Sequence, residues 1–93
     1  MSKEDRFKEI TNEMYIIYKN KNSDYGSSVS DTYRDFGMIS FLVRLSDKLN
    51  RLKTIYNKDT KVKDETIYDT LIDLANYSIL AILELENDEN RRV

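Results

Sequence analysis

Four polar residues, Glu65, Asp69, Asp73 and Asn76, recur at steps of four, four and three. On a helix they fall within a sector of roughly 80°. Three carboxylates and an amide on one stripe are unfavourable to bury unless a metal ion, cations or hydrogen-bond donors lie against them. A second stripe, Arg44, Asp47, Lys48 and Arg51, is also spaced three and four apart and carries three cations and one carboxylate. The stretch from Lys19 to Ser28 reads KNKNSDYGSS. Its lysines, asparagines and Tyr25-Gly26 step supply the donors and close backbone access that an anionic ligand uses, and its residue types also suit a solvated connection.

Three chemistries follow if the two charged stripes face one another. In the first, Arg44, Lys48 and Arg51 pair with Glu65, Asp69 and Asp73 as a structural ion-pair network, although buried pairs seldom outperform apolar packing. In the second, Glu65, Asp69 and Asp73 share Mg²⁺ and activate water against a phosphoryl group. In the third, Lys48, Arg51 and the loop lysines hold phosphate while Asp69, Asp73 or Asn76 bind a base or sugar. A metal-dependent pyrophosphohydrolase needs carboxylates converging from two helices, and the second stripe offers only Asp47 among its cations. Those cations disfavour Mg²⁺ and suit phosphate. A bound nucleotide without catalysis is therefore the better-supported reading, and no cofactor is required for it.

The elements that must position these residues are helices. There is no proline, and Gly26 and Gly37 are the two glycines, so few breakers interrupt the chain. Ser2 with Asp5 three residues on reads as a helix start. Phe7, Ile10, Met14 and Ile17 then form one apolar face of a helix ending near Lys19, with a core-packing role. A loop spans 19–28, a short helical turn covers 30–36, and Gly37 breaks it. A long helix runs from about Met38 to Tyr56, with Leu42, Leu45, Leu49, Leu52 and Tyr56 as its packing stripe. The polar turn 57–61 is short enough to make the next helix an antiparallel neighbour. Asp64 suits that helix's N-cap. The helix reads on to Leu85, and its second half, from Leu74 onward, is apolar on nearly every side. A small domain cannot cover such a helix all round, so a subunit is expected to pack there. The expectation is one all-α domain over 1–86, a small antiparallel bundle of three main helices and a short helical turn, completed by oligomerisation through the third helix. A charged tail follows over 87–93.

Composition narrows the function. With no cysteine and no histidine, there is no disulfide frame, no thiolate or imidazole metal site and no histidine acid–base catalyst. A net charge of −2 with 34% charged residues of both signs argues against DNA or RNA as the main partner. No apolar run approaches a membrane span and no targeting segment is evident, so a cytoplasmic, non-membrane chain is expected.

The segments Lys21–Gly26 (KNSDYG), Arg44–Leu52 (RLSDKLNRL) and Asp64–Tyr77 (DETIYDTLIDLANY) resemble the phage nucleotide modification associated domain family. That family is similar in helical layout to the MazG-like all-α nucleotide pyrophosphohydrolases. The resemblance implies a helical, often oligomeric, phage-encoded domain connected with nucleotides. It also implies that Lys21, Asp24, Tyr25, Lys48, Arg51, Glu65, Asp69, Asp73 and Asn76 line one pocket, with Arg44 joining from the cationic stripe. The MazG-like enzymes carry a Glu-x-x-Glu pair on the earlier helix and a Glu-x-x-Asp pair on the later one. Here Arg44 and Asp47-Lys48 occupy the first region, and Glu65 and Asp69 lie four apart. The function expected is binding of a phosphorylated, nucleotide-derived molecule, and in a phage this would sequester a nucleotide signal of host defence. The alternative is a Mg²⁺-dependent nucleotide pyrophosphohydrolase or nucleotide-modification enzyme of MazG-like type.

Overall fold

A computed structural model describes residues 1–25, 27–58 and 63–91, with side chains at 1–22, 27–58 and 65–88. The element order is α1 (Lys3–Tyr25), α2 (Ser28–Phe36), α3 (Ile39–Tyr56) and α4 (Lys63–Arg91). No strand occurs among the described residues, so the chain is all-α, as expected. No helix among them is long and apolar enough to cross a membrane.

Helix α1 starts where Ser2 caps it. The Asp5 backbone N–H donates to Ser2 Oγ at 3.0 Å, and Glu4 and Asp5 sit at the positive end. It does not end near Lys19 but continues to Tyr25. The Lys19–Asp24 stretch contains no glycine or proline, and Asn and Ser are only mildly poor helix formers, by at most about 0.7 kcal/mol each. The connection between α1 and α2 shrinks accordingly. Gly37 ends α2 at φ 72°, a left-handed conformation that costs little only for glycine. Its N–H donates to the Tyr33 carbonyl at 2.6 Å. The turn expected over 57–61 falls largely outside the described residues, and α4 already starts at Lys63, which puts Asp64 inside the helix and not at its N-cap.

Helices α3 and α4 pair antiparallel. Phe41 meets Ala81, Arg44 meets Tyr77 and Lys48 meets Asp73, a register that descends one chain as it climbs the other. Helix α2 folds back on α3, with the Tyr33 and Phe41 rings 5.8 Å apart. Phe41, only 2% exposed, centres a core with Tyr33 and Ala81, flanked by Val29, Met38, Tyr77 and Leu80. Helix α4 passes Leu85 and runs to Arg91. Beyond Leu85 the helix carries into the charged residues, and there Asp88 accepts a hydrogen bond from the Tyr33 hydroxyl.

The apolar stripes are not covered as the periodicity suggests. Leu42 (54% exposed), Leu49 (48%) and Tyr56 stay in solvent, as does Phe7 on α1. On α4 the same holds for Leu71, Ile79 and Ile82 (52%). Period alone says which residues share a face, and a four-helix chain this thin has nothing to lay over these faces. Helix α1 is anchored partly by burial of Met14 and partly by polar contacts. Tyr68 Oη donates to Glu13 Oε2 at 2.7 Å, and Arg6 pairs with both Glu9 and Glu13. The Tyr68 hydrogen bond, with Arg6, holds the Glu13 carboxyl below its ordinary value, while the same Glu13 contact raises the Tyr68 hydroxyl.

Candidate functional site

Where α1, α3 and α4 diverge they leave an open cleft of about 460 Å³, closed at one end by the start of α2. Asp73 sits on α4 between cations from two other helices. Lys21 Nζ of α1 lies 3.0 Å from Asp73 Oδ1, and Lys48 Nζ of α3 lies 3.3 Å from Oδ2. The Asp73 side chain is 26% exposed. Burial pushes its carboxyl up, but the two ammoniums more than offset this and leave it below the ordinary value of 3.8. One turn further along α4, Asn76 Nδ2 donates to the Met14 carbonyl at 3.4 Å and ties α4 to α1. Arg44 lies over the Tyr77 ring, its Cζ 6.0 Å from the centroid, a cation–π arrangement.

Of the residues singled out from sequence, Lys21, Arg44, Lys48, Asp73 and Asn76 line this one cleft. The side chains of Asp24 and Tyr25 lie outside the described residues. Arg51 is exposed and lies off the cleft, about one turn beyond Lys48. Glu65 and Asp69 are also exposed and off it. Among the described residues neither forms an ion pair, and no group of three acidic side chains gathers as a metal site would. The acidic stripe is therefore divided: its first two carboxylates remain in water, where they need no counterpart, and only Asp73 and Asn76 are covered. The carboxylate that Mg²⁺ would share with Glu65 and Asp69 is instead engaged by two lysines.

Pattern reading missed the far half of the cleft. Glu84 lines it and is a buried carboxylate, 7% exposed, that accepts from Ser30 Oγ at 2.5 Å. Tyr77, Leu80 and Leu83 complete that wall, with Tyr18 and Asn22 across from them on α1. The one available signal was Glu84 itself. It is the acidic residue interrupting the otherwise apolar run from Ile79 to Leu85, and a lone carboxylate in such a run needs a partner.

Fold and site together define a class: an all-α domain with a polar, cationic and partly aromatic cleft between its helices. The chain belongs to the nucleotide modification associated domain 1 family, whose pattern matches residues 21–85. The match begins at Lys21 and takes in α2, α3 and the cleft-lining part of α4, leaving most of α1 outside. No curated protein and no solved structure matches the chain.

Proposed function

We propose that the protein binds a phosphorylated, nucleotide-derived small molecule in the α1–α3–α4 cleft and does not turn it over. The observation that carries this reading is the convergence of Lys21 and Lys48 on Asp73 at the cleft wall. An ammonium has three N–H donors, so one bond to Asp73 orients each lysine and leaves donors for phosphate oxygens. Asp73 acts as an organiser of cations, and a carboxylate already engaged by two ammoniums is a poor metal ligand. Arg44 adds a third positive charge beside the Tyr77 ring. The volume falls within the range of small-molecule sites, roughly 300–1,000 Å³. Membership of a family named for nucleotide modification supports a nucleotide as the ligand. A phage-encoded binder of this kind would act by sequestration, holding down a nucleotide signal that host defence uses.

The same reading includes self-association through α4. The chain exposes 7481 Å², whereas a compact monomer of its 11.0 kDa shows roughly 5,600 Å². Covering much of that excess with a second copy would place the interface among the obligate ones, which bury roughly 2,000–5,000 Å² in total. Its radius of gyration, 15.4 Å, likewise exceeds the roughly 12 Å of a compact chain this long. Leu71, Ile79, Ile82 and Leu85 supply the apolar face.

Calorimetry of the full chain against nucleoside diphosphates, cyclic nucleotides and pyrophosphate tests binding. Lys48→Ala or Arg44→Ala should weaken binding tenfold or more, since hydrogen bonds to charged groups contribute about 1.5–3 kcal/mol. Absence of heat with every probe overturns the reading. Mass spectrometry of ligand released by denaturation should recover it intact, and a hydrolysed product would overturn the no-turnover part. Sedimentation at micromolar concentration should give a multiple of 11.0 kDa, and a monomer would remove the oligomer.

A further inference from the structure

Phosphate chemistry accounts for one end of the cleft and leaves Glu84 at the other end unexplained. A carboxylate that is 7% exposed requires donors. Ser30 Oγ supplies one, to Oε1. Among the described residues no protein donor reaches Oε2, and none of their sealed side-chain polar atoms lacks a partner, so Oε2 is not sealed off. Since Glu84 also lines the cleft, Oε2 faces its space. Ser30 thus engages Oε1 and leaves the acceptor capacity of Oε2 to whatever enters. The neighbouring walls, Val29, Leu80 and Leu83, are apolar, and Tyr77, between Asp73 and Glu84 along α4, lines the cleft as well. Glu84 lies eleven positions after Asp73 on α4, a distance of about 16 Å along the helix. That suits an extended nucleotide carrying more than one phosphate, with its base end at Glu84.

Base chemistry selects among ligands. A carboxylate offers two acceptor oxygens side by side and no donor. The guanine Watson–Crick edge presents two parallel donors, N1–H and the N2 amino group. Adenine and cytosine each pair one amino donor with a ring-nitrogen acceptor that a carboxylate repels, and uracil flanks its single N–H with two carbonyls. We infer that Glu84, held by Ser30, makes the cleft selective for guanine nucleotides. This rests on the phosphate reading above and adds the base to it. A ribose diol also carries two donors, but the ribose lies next to the phosphates and not at the far, apolar end.

The test is calorimetry of the full chain with GDP, ADP, IDP, dGDP and pyrophosphate. GDP should bind at least about tenfold more tightly than ADP, the effect of one good bidentate contact. IDP, which lacks the N2 amino group, should fall toward ADP, and dGDP should match GDP. Glu84→Gln should bring GDP down to the level of ADP. Should that variant fail to fold, the GDP-against-IDP comparison on the wild-type chain still decides. Equal binding of GDP and ADP overturns guanine selectivity while leaving the phosphate reading in place. A loss confined to dGDP assigns Glu84 to the ribose and also overturns it. No binding of any nucleotide or of pyrophosphate overturns both readings together.

Discussion

Asp73→Asn is the most informative single change, because one carboxylate holds two helices to a third. The amide keeps the size of the side chain, removes its charge, and can accept from at most one of the two ammoniums with comparable geometry. Exposed ion pairs contribute about 0.2–1 kcal/mol each, while removing one partner of a fully buried pair costs about 3–5 kcal/mol. Asp73 lies between these limits: its side chain is 26% exposed, Lys48 is similar at 29%, and Lys21 is half in solvent. Discounted for that screening, the two contacts together should contribute about 1–2 kcal/mol, or very roughly 4–16 °C in the melting temperature of a domain this small. The pH dependence provides the stricter check. The folded-state carboxyl lies below its ordinary value of 3.8, so its stabilisation is fully present above that value and is lost as the pH falls through the depressed one. Thermal denaturation of both proteins at equal concentration, at pH 7 and then stepwise below pH 4, should show a gap that narrows in acid. Fixed concentration matters because association shifts apparent stability. A gap that is unchanged at pH 2.5, or absent at pH 7, would refute the assignment of Asp73 as a charge bridging Lys21 and Lys48.

Other substitutions probe the frame around the cleft. Gly37→Ala forces a β-carbon into the positive-φ region at φ 72°, ψ −158° and should destabilise by about 1–3 kcal/mol, read as a lowered denaturation midpoint. No atom lies within 4 Å of the added carbon, so a loss above that would point to something other than backbone strain. Phe41→Ala empties the most buried position of the core and should cost about 3–5 kcal/mol, measured by chemical denaturation. Tyr68→Phe removes an exposed hydroxyl that donates to Glu13 and should shift stability by no more than about 0.5 kcal/mol.

Much of the architecture is legible in the amino-acid sequence. An absence of proline and only two glycines dictated helices, Gly37 marked the α2–α3 break, and the short polar turn after Tyr56 implied that α3 and α4 run antiparallel. Local rules suffice for such features, because capping, helix propensity and glycine's backbone freedom act within a few residues. Even there the far end of α1 was misplaced: Asn and Ser between Lys19 and Tyr25 look like loop residues, yet their preference is too weak to end a helix in the absence of a breaker.

The Lys21, Arg44, Lys48, Asp73 and Asn76 constellation illustrates what tertiary structure alone decides. Helical period established that Glu65, Asp69, Asp73 and Asn76 share a side of α4. It carried no information on where along that side another helix crosses, and the crossing covers Asp73 and Asn76 while leaving Glu65 and Asp69 in water. The leucines of α3 were legible as a stripe for the same reason, but a stripe does not state whether it meets its own chain, and Leu42 and Leu49 do not. Glu84 became a cleft residue only when α2 brought Ser30 to it across more than fifty residues of sequence. Local free energy shapes each helix, and the packing of helix on helix, a sum of contacts distant in sequence, selects which charges face one another and which face the solvent.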